Sequence, residues 1–308
     1  MFAQDPHFTQ YHAAPLSINP AYTGIFNGKA RFLTNHRQQW AGAMDPFVTS
    51  AASMDVKLTK GRETGQNPFN VGVQLLTDRS FKGSYRSSIA TSTASFHVPL
   101  DVDGKLNIGV GLGASFASRK LDLSDISFDA QFSSGGFDLS MFNGETSFKG
   151  TQTYFAVNAG ALFTYNGYED GTFFELGGSM FNVNRPLFSF LQDSSQFVPT
   201  RYSLHASCQK QIGQLMVAEI YGVYQNQATV SYIQAGVSLA RNIGQGGTTQ
   251  VGAGVHFRSN DAISPAVTVS LGNLRLGVSY DVVTSTLKQS GRNLSSMEFS
   301  AVFRIDTK

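Results

Sequence analysis

The sequence predicts an all-β fold: a single 14-stranded antiparallel transmembrane β-barrel of the outer-membrane type, with an ordered segment ahead of the first strand. Three observations predict it. Apolar and polar residues alternate over runs of about ten residues, the period of a strand with two unlike faces. The number of runs is even, and each matches the ~9–11 residues that cross a bilayer at a tilt. The two longest connections between runs fall at the same end of the strands, the asymmetry of a membrane barrel.

The composition agrees. Of 308 residues only 14% are charged, while 31 are Gly and 25 are Phe; soluble domains carry roughly 25% charged residues and about 7% Gly. No window of about 18 apolar residues exists, which excludes an ordinary helical membrane protein. An apolar content of 41% argues against disorder. The net charge of +2, with no basic run, gives no footprint for nucleic acid. The lone cysteine, Cys208, excludes an internal disulfide and paired-Cys zinc spacing. Met1-Phe2-Ala3 places a small residue just before Gln4, as the tail of a secretory signal removed there would.

Taken in order, residues 1–28 contain Pro6, Pro15 and the pair Asn19-Pro20, so they form neither a helix nor a central strand. They also carry Tyr11, Leu16, Ile18 and Tyr22, and are expected to pack as a periplasmic segment on or in the barrel. The barrel proper takes residues 29–308. Its strands are expected at 29–38, 47–59, 69–78, 84–98, 105–118, 152–165, 172–182, 201–211, 215–225, 228–240, 248–258, 262–271, 274–283 and 295–306. The run from Leu106 to Phe116 shows the pattern: Ile108, Val110 and Leu112 alternate with Asn107, Gly109, Gly111 and Gly113. The runs at 29–38, 84–98 and 215–225 have mixed faces. One set of connections is mostly short, as in 101–104, 212–214 and 272–273, with 60–68 its longest; the other includes 119–151, 183–200 and 284–294, although its members 78–83, 226–227 and 259–261 are short. The polar faces hold Gly, Ser, Thr and Asn rather than Lys and Glu, which suits a crowded lumen with the apolar faces turned to lipid. Phe47, Tyr85, Phe116, Tyr154, Phe173, Tyr202, Tyr280 and Phe303 sit near run ends as candidates for interfacial girdles.

Chemistry-bearing motifs are sparse. Gly109-Val-Gly-Leu-Gly113 lies mid-strand with no following helix, so the phosphate-cradle reading fails. The six histidines show no metal-ligand spacing, no nucleophile elbow occurs, and Glu175, Glu219, Asp281 and Glu298 fall on separate runs. No enzyme activity, metal or cofactor is expected. Arg201, His205, His256, Arg258, Arg275, Asp281, Glu298 and Arg304, with Asp55, are expected to form a polar network in the lumen, opposite charges pairing across neighbouring strands. Cys208 shares the apolar face of Tyr202, Leu204 and Ala206 and is expected to meet lipid.

The opening of the chain is more specific. Gln4-Asp-Pro-His-Phe-Thr-Gln-Tyr11, Pro15-Leu-Ser-Ile-Asn-Pro-Ala-Tyr-Thr-Gly24 and Asn35-His-Arg-Gln-Gln-Trp40, with Gly72-Val-Gln-Leu-Leu-Thr-Asp78 and Leu276-Gly-Val-Ser-Tyr-Asp-Val282, resemble the PorP/SprF family. His36 departs from the family, which usually has Tyr there. The resemblance spans nearly the whole chain. It implies an outer-membrane location in a Gram-negative bacterium and a non-enzymatic role in type IX secretion or gliding. That role is to help export or anchor surface proteins such as adhesins, which bear a C-terminal sorting domain, with periplasmic secretion components as further partners. A diffusion channel or hydrophobic-solute transporter is the competing function. Clients are expected at the loops 119–151 and 183–200, whose apolar side chains must bury in the lumen mouth or against a partner. The candidate contacts are Leu123, Phe128, Phe132, Phe137, Phe142 and Phe148 in the first, and Arg185, Phe188, Phe190 and Phe197 in the second.

Overall fold

Alternating sequence becomes a closed sheet here because closure pairs every backbone group while leaving each strand one face for lipid and one for the lumen. The computed structural model describes residues 5–41, 45–58, 69–80, 83–124, 128–138, 140–141, 144, 148–167, 170–191, 193, 195–243, 249–284 and 295–306. The strands are β1 (Ala30–Ala41), β2 (Phe47–Lys57), β3 (Phe69–Ser80), β4 (Tyr85–Pro99), β5 (Leu106–Leu121), β6 (Phe132–Ser133), β7 (Gly136–Phe137), β8 (Thr151–Gly167), β9 (Thr172–Phe181), β10 (Arg201–Ile212), β11 (Met216–Gln227), β12 (Val230–Asn242), β13 (Thr249–Arg258), β14 (Ala262–Leu271), β15 (Leu274–Val283) and β16 (Ser295–Ile305). Fourteen of them close one antiparallel barrel, each paired with its chain neighbour, and β1 pairs with β16 from Ala30↔Ile305 to Gln38↔Met297. The expected barrel is therefore the observed one, mixed-face runs included. β6 and β7 form a separate hairpin within the expected loop 119–151.

The faces follow the alternation. Ile108, Val110, Leu112 and Phe116 of β5 point outward and are exposed, while Asn107 and Ser115 are buried on the lumen side. Tyr202, Tyr280 and Phe303 are also outward and exposed. Tyr154 is a correction to the expected girdle: it is buried on the lumen face, under the Arg119 guanidinium. Cys208 is half-buried.

The lumen is filled by the chain's own beginning. Three short 3-10 turns, Tyr11–Ala13, Pro15–Ser17 and Pro20–Tyr22, give the proline-rich segment its compact path. Asn19 starts the last of them, its side chain accepting the Ala21 N–H at 2.8 Å. Leu16 and Ala21 are completely buried, and Tyr11, Leu16, Ile18 and Tyr22 pack with Leu162, Tyr221 and Val223 of the wall. Phe8 packs on Ala51 and Leu76. Inward glycines make the room: a Cβ on Gly111 would overlap the Ala21 backbone, and one on Gly160 the Asn19 side chain.

The direction of this plug corrects the expectation of a periplasmic segment. Asp5 lies among Arg119, Asn182, Arg201 and Gln227, all at the strand ends that carry the long loops. Residues 5–29 then descend the lumen. Lys29 reaches the short-turn end, where its N–H donates to the Ile305 carbonyl at 2.7 Å. By the usual asymmetry of such barrels the long-loop end is extracellular.

Candidate functional site

Two candidate sites emerge: the interface between plug and wall, and the long-loop mouth above it. The interface has three charged levels. At the short-turn end, Arg31 grips Asp55 with two hydrogen bonds (2.8 and 3.0 Å), and Asp55 also accepts the Gly24 N–H at 2.8 Å. Gly24 has φ +81°, a backbone conformation that favours glycine, which lets the chain turn its N–H onto that carboxylate.

Midway, the Tyr22 hydroxyl donates to Glu175 (2.6 Å) and lies 2.9 Å from His205 Nδ1, whose other nitrogen is 3.1 Å from the Asn19 amide. His256 contacts the Tyr221 hydroxyl at 2.6 Å, and the Tyr221 ring packs 4.4 Å from that of Tyr11. In the upper half, Glu298 accepts the backbone N–H groups of Thr9 (2.7 Å) and Gln10 (2.8 Å) and the Asn35 amide (3.0 Å). Asp281 accepts from Arg37 (2.8 Å), Arg258 (2.7 Å) and Ser264 (2.6 Å). Arg258 also reaches the Thr9 hydroxyl (2.8 Å), and Arg37 the His7 carbonyl (2.9 Å).

Burial shapes the plug's titratable groups. It holds His7 and His12 well below the ordinary histidine value, helped at His7 by Arg258 and Arg37 and at His12 by Arg275. It raises Tyr11 and Tyr22 well above the ordinary tyrosine value, Glu175 adding to both. Burial inside the barrel therefore favours the neutral form of both histidines.

Of the expected lumen network, Arg201, His205, His256, Arg258, Asp281 and Glu298 come together, but mostly through the plug rather than across neighbouring strands. Arg258 and Asp281 sit two strands apart, with Ser264 of the strand between them also bonded to Asp281. The side chains of Arg275 and Arg304 make no hydrogen bond or ion pair among the described residues. Arg275 instead lines a cavity of about 20 Å³, space for about one water, with Gln10, His12, Glu219, Tyr221 and His256. The sequence reading missed Asp5, Arg31, Asn35, Arg37 and Arg119. Arg31, Asn35 and Arg37 share one phase of the β1 alternation, a signal that they face inward together. Among the described residues no group of three His, Cys, Asp or Glu is placed to hold a metal.

At the mouth, the connection 183–200 folds back on itself: Leu187 bridges Phe197, and the Phe188 N–H donates to the Gln196 carbonyl at 3.0 Å. Val198 is buried against Ala117, Tyr154 and Ala156, with Phe188 packed alongside. Phe188 and Phe190 stack edge-on at 5.1 Å, Phe148 lies 6.0 Å from Phe190, and Arg185 covers the Phe197 ring at 3.7 Å. The two loops thus meet through Phe148, Phe188 and Phe190. Phe132 and Phe137 behave otherwise. They pair across the small hairpin at 5.1 Å and stand 64% and 57% exposed, so neither fills the lumen. Leu123 and Phe128 are half-buried; Phe142 lies outside the described residues. The N-terminal segment, not a loop, supplies the filling.

A closed, even-numbered antiparallel barrel with an apolar outer belt and a polar interior defines an outer-membrane β-barrel protein. Within that class the family is specific: the profile described as type IX secretion system membrane protein PorP/SprF matches residues 1–303, and the chain belongs to that family. No curated protein matches the chain. Solved structures share the fold. The TodX deltaS2S3 mutant monoaromatic hydrocarbon channel superposes with a TM-score of 0.54 at 11% identity, over 94% of this chain and 92% of that one. The CymD monoaromatic hydrocarbon channel gives 0.52 at 12% identity, over 97% and 94%. The Pseudomonas putida toluene transporter TodX gives 0.51 at 11%, over 98% of each chain. At such identities the likeness concerns the barrel alone.

Proposed function

We propose that this barrel serves the type IX secretion apparatus as a sealed docking element, helping to export secreted surface proteins, adhesins among them, or to anchor them through their C-terminal sorting domain. The observation that carries the reading is the filled lumen: residues 5–29 bond to the wall at each charged level and leave little room for a solute. A sealed barrel offers partners its surfaces rather than a passage. The loops 119–151 and 183–200, joined by Phe148, Phe188 and Phe190, supply the surface for clients, since binding concentrates on long loops held by a rigid scaffold. Periplasmic components of the apparatus would meet the short turns, and the role is non-enzymatic.

The test is a pull-down from native membranes with the intact barrel and with a variant lacking residues 125–145, alongside conductance in planar bilayers. A secreted surface protein that co-purifies with the intact barrel and is lost with the deletion is the expected result, as is a silent bilayer. A large steady conductance of the native protein with no co-purifying client would replace this reading with a diffusion channel or hydrophobic-solute transporter.

A further inference from the structure

The long-loop mouth holds more positive charge than the carboxylate it encloses. Arg119, Arg201, Asn182 and Gln227 are each more than nine-tenths buried and surround the Asp5 side chain. Their contacts are long: 3.4 Å from Arg119 Nη2, 3.7 Å from Arg201 Nε, 3.5 Å from Asn182 Nδ2 and 3.3 Å from Gln227 Nε2. The same barrel holds Asp55 at 2.8–3.0 Å and Asp281 at 2.6–2.8 Å, the normal range for charge-assisted bonds. The Nε atoms of both Arg119 and Arg201 are buried without a hydrogen bond. Leaving buried guanidinium donors unmet is unfavourable, and two cations against one carboxylate leave a charge uncompensated. The next inward carboxylate, Asp78, is two strands from Arg119 and accepts the Thr49 hydroxyl at 2.6 Å.

The guanidiniums are nevertheless built in place. Arg119 lies over the rings of Tyr154 (5.2 Å) and Phe188 (5.0 Å), and Arg201 over Phe181 (4.2 Å). Such stacking covers the faces and leaves N–H edges to bind, one of those of Arg119 being taken by the Tyr154 side chain. Arg201 is further fixed by its bond to the Ser17 carbonyl at 2.8 Å. Asp5, by contrast, sits on no strand and is held at its backbone by one bond, its N–H donating to Gln227 Oε1 at 2.9 Å.

We propose that Arg119, Arg201, Asn182 and Gln227 form a carboxylate receptor at the long-loop mouth, occupied in cis by Asp5 and open to the side-chain carboxylate of an acidic peptide in its place. A peptide is the fitting ligand because the rim beside the receptor is apolar: Leu187 and Leu191 are exposed next to Phe188 and Phe190. An acidic residue flanked by apolar ones meets both features. The inference does not depend on a role in secretion.

The experiment uses the full chain in detergent micelles, with a fluorescein-labelled, C-terminally amidated Gly-Leu-Asp-Phe-Gly peptide as the probe and free acetate as a competitor. Asp5→Ala is expected to bind the peptide at least ten-fold more tightly than the native protein, and adding Arg119→Gln with Arg201→Gln is expected to return binding to background. Equal affinity for native and Asp5→Ala protein, or affinity that survives loss of both arginines, overturns the proposal. If acetate at equal carboxylate concentration binds Asp5→Ala as well as the peptide does, the site takes small free carboxylates and the peptide assignment falls. Heat-modifiable migration reports folding. Should the double arginine variant not fold, Asn182→Ala with Gln227→Ala replaces it and is expected to lose most of the gain; unchanged affinity there is equally fatal.

Discussion

Glu298→Ala should loosen the upper half of the plug while leaving the barrel intact. The carboxylate is buried and accepts two plug N–H groups, from Thr9 at 2.7 Å and Gln10 at 2.8 Å, besides the Asn35 amide at 3.0 Å. It also lies 3.8 Å from Arg37 Nε. Truncation to alanine leaves both N–H groups without an acceptor, at about 1–3 kcal/mol each, and removes one counter-charge from a buried arginine. The strongly destabilising effect of breaking a buried charged contact is roughly 3–5 kcal/mol, so the two routes agree. With every ~1.4 kcal/mol worth tenfold, the open population of the segment around Thr9 and Gln10 should rise between about 10²- and 10⁴-fold. Amide hydrogen exchange of the folded protein reads this directly, as faster exchange across residues 9–14 while strand amides of β5 and β8 stay protected. Exchange at residues 9–14 unchanged in a correctly folded variant would refute the reasoning, since the carboxylate would then not be holding the plug.

Acid should release the plug, and the sign follows from His7 and His12. Burial favours the neutral form of both when docked, whereas the released segment protonates near pH 6.5; docking is therefore complete above that pH and weakens below it by up to ~1.4 kcal/mol per pH unit per histidine. Exchange of plug amides that is as slow at pH 5 as at pH 7.5, after correction for intrinsic rates, would contradict this. Gly160→Leu should expel the middle of the plug, because even a Cβ there overlaps Asn19; protease should then cut within residues 5–24 of the assembled barrel, and full protection would count against it. Leu112→Arg, on the exposed outer face of β5, should lower stability by ~2–4 kcal/mol if it sits at mid-bilayer, measured by urea unfolding from lipid vesicles. A variant as stable as the native chain would mean that this face does not meet lipid. In a Cys208→Ser background on whole cells, an impermeant thiol reagent should label Ser140→Cys and not Asp103→Cys, and the reverse pattern would invert the topology.

The barrel was legible in the sequence because its signals are local. Alternation states which side chains share a face, an even number of runs permits closure, and loop lengths separate the two ends. Each is read within ten or so residues and needs no knowledge of what lies across the molecule. The small inward residues Gly109, Gly111 and Gly113 were visible too, as a polar, uncrowded face, although what they make room for was not. The proline-rich opening could be recognised as neither helix nor strand, and its Tyr and Leu side chains as needing cover.

Only the tertiary structure decided where that opening goes and what holds it. Arg37 meets Asp281 across 244 positions of chain, and Thr9 meets Glu298 across 289. Such partners come together only when β1 closes against β16 and residues 5–29 thread the space enclosed. Periodicity places Asn35, Arg37 and Glu298 on an inward face, but it cannot say whether an inward charge pairs with a neighbouring strand, with water or with a plug. The same limit explains the misplaced N-terminal end. A segment attached to the short-turn end of β1 can stay there or climb the lumen with the same local pattern, and what sends Asp5 to the far mouth is a set of buried acceptors and arginines contributed by strands throughout the chain.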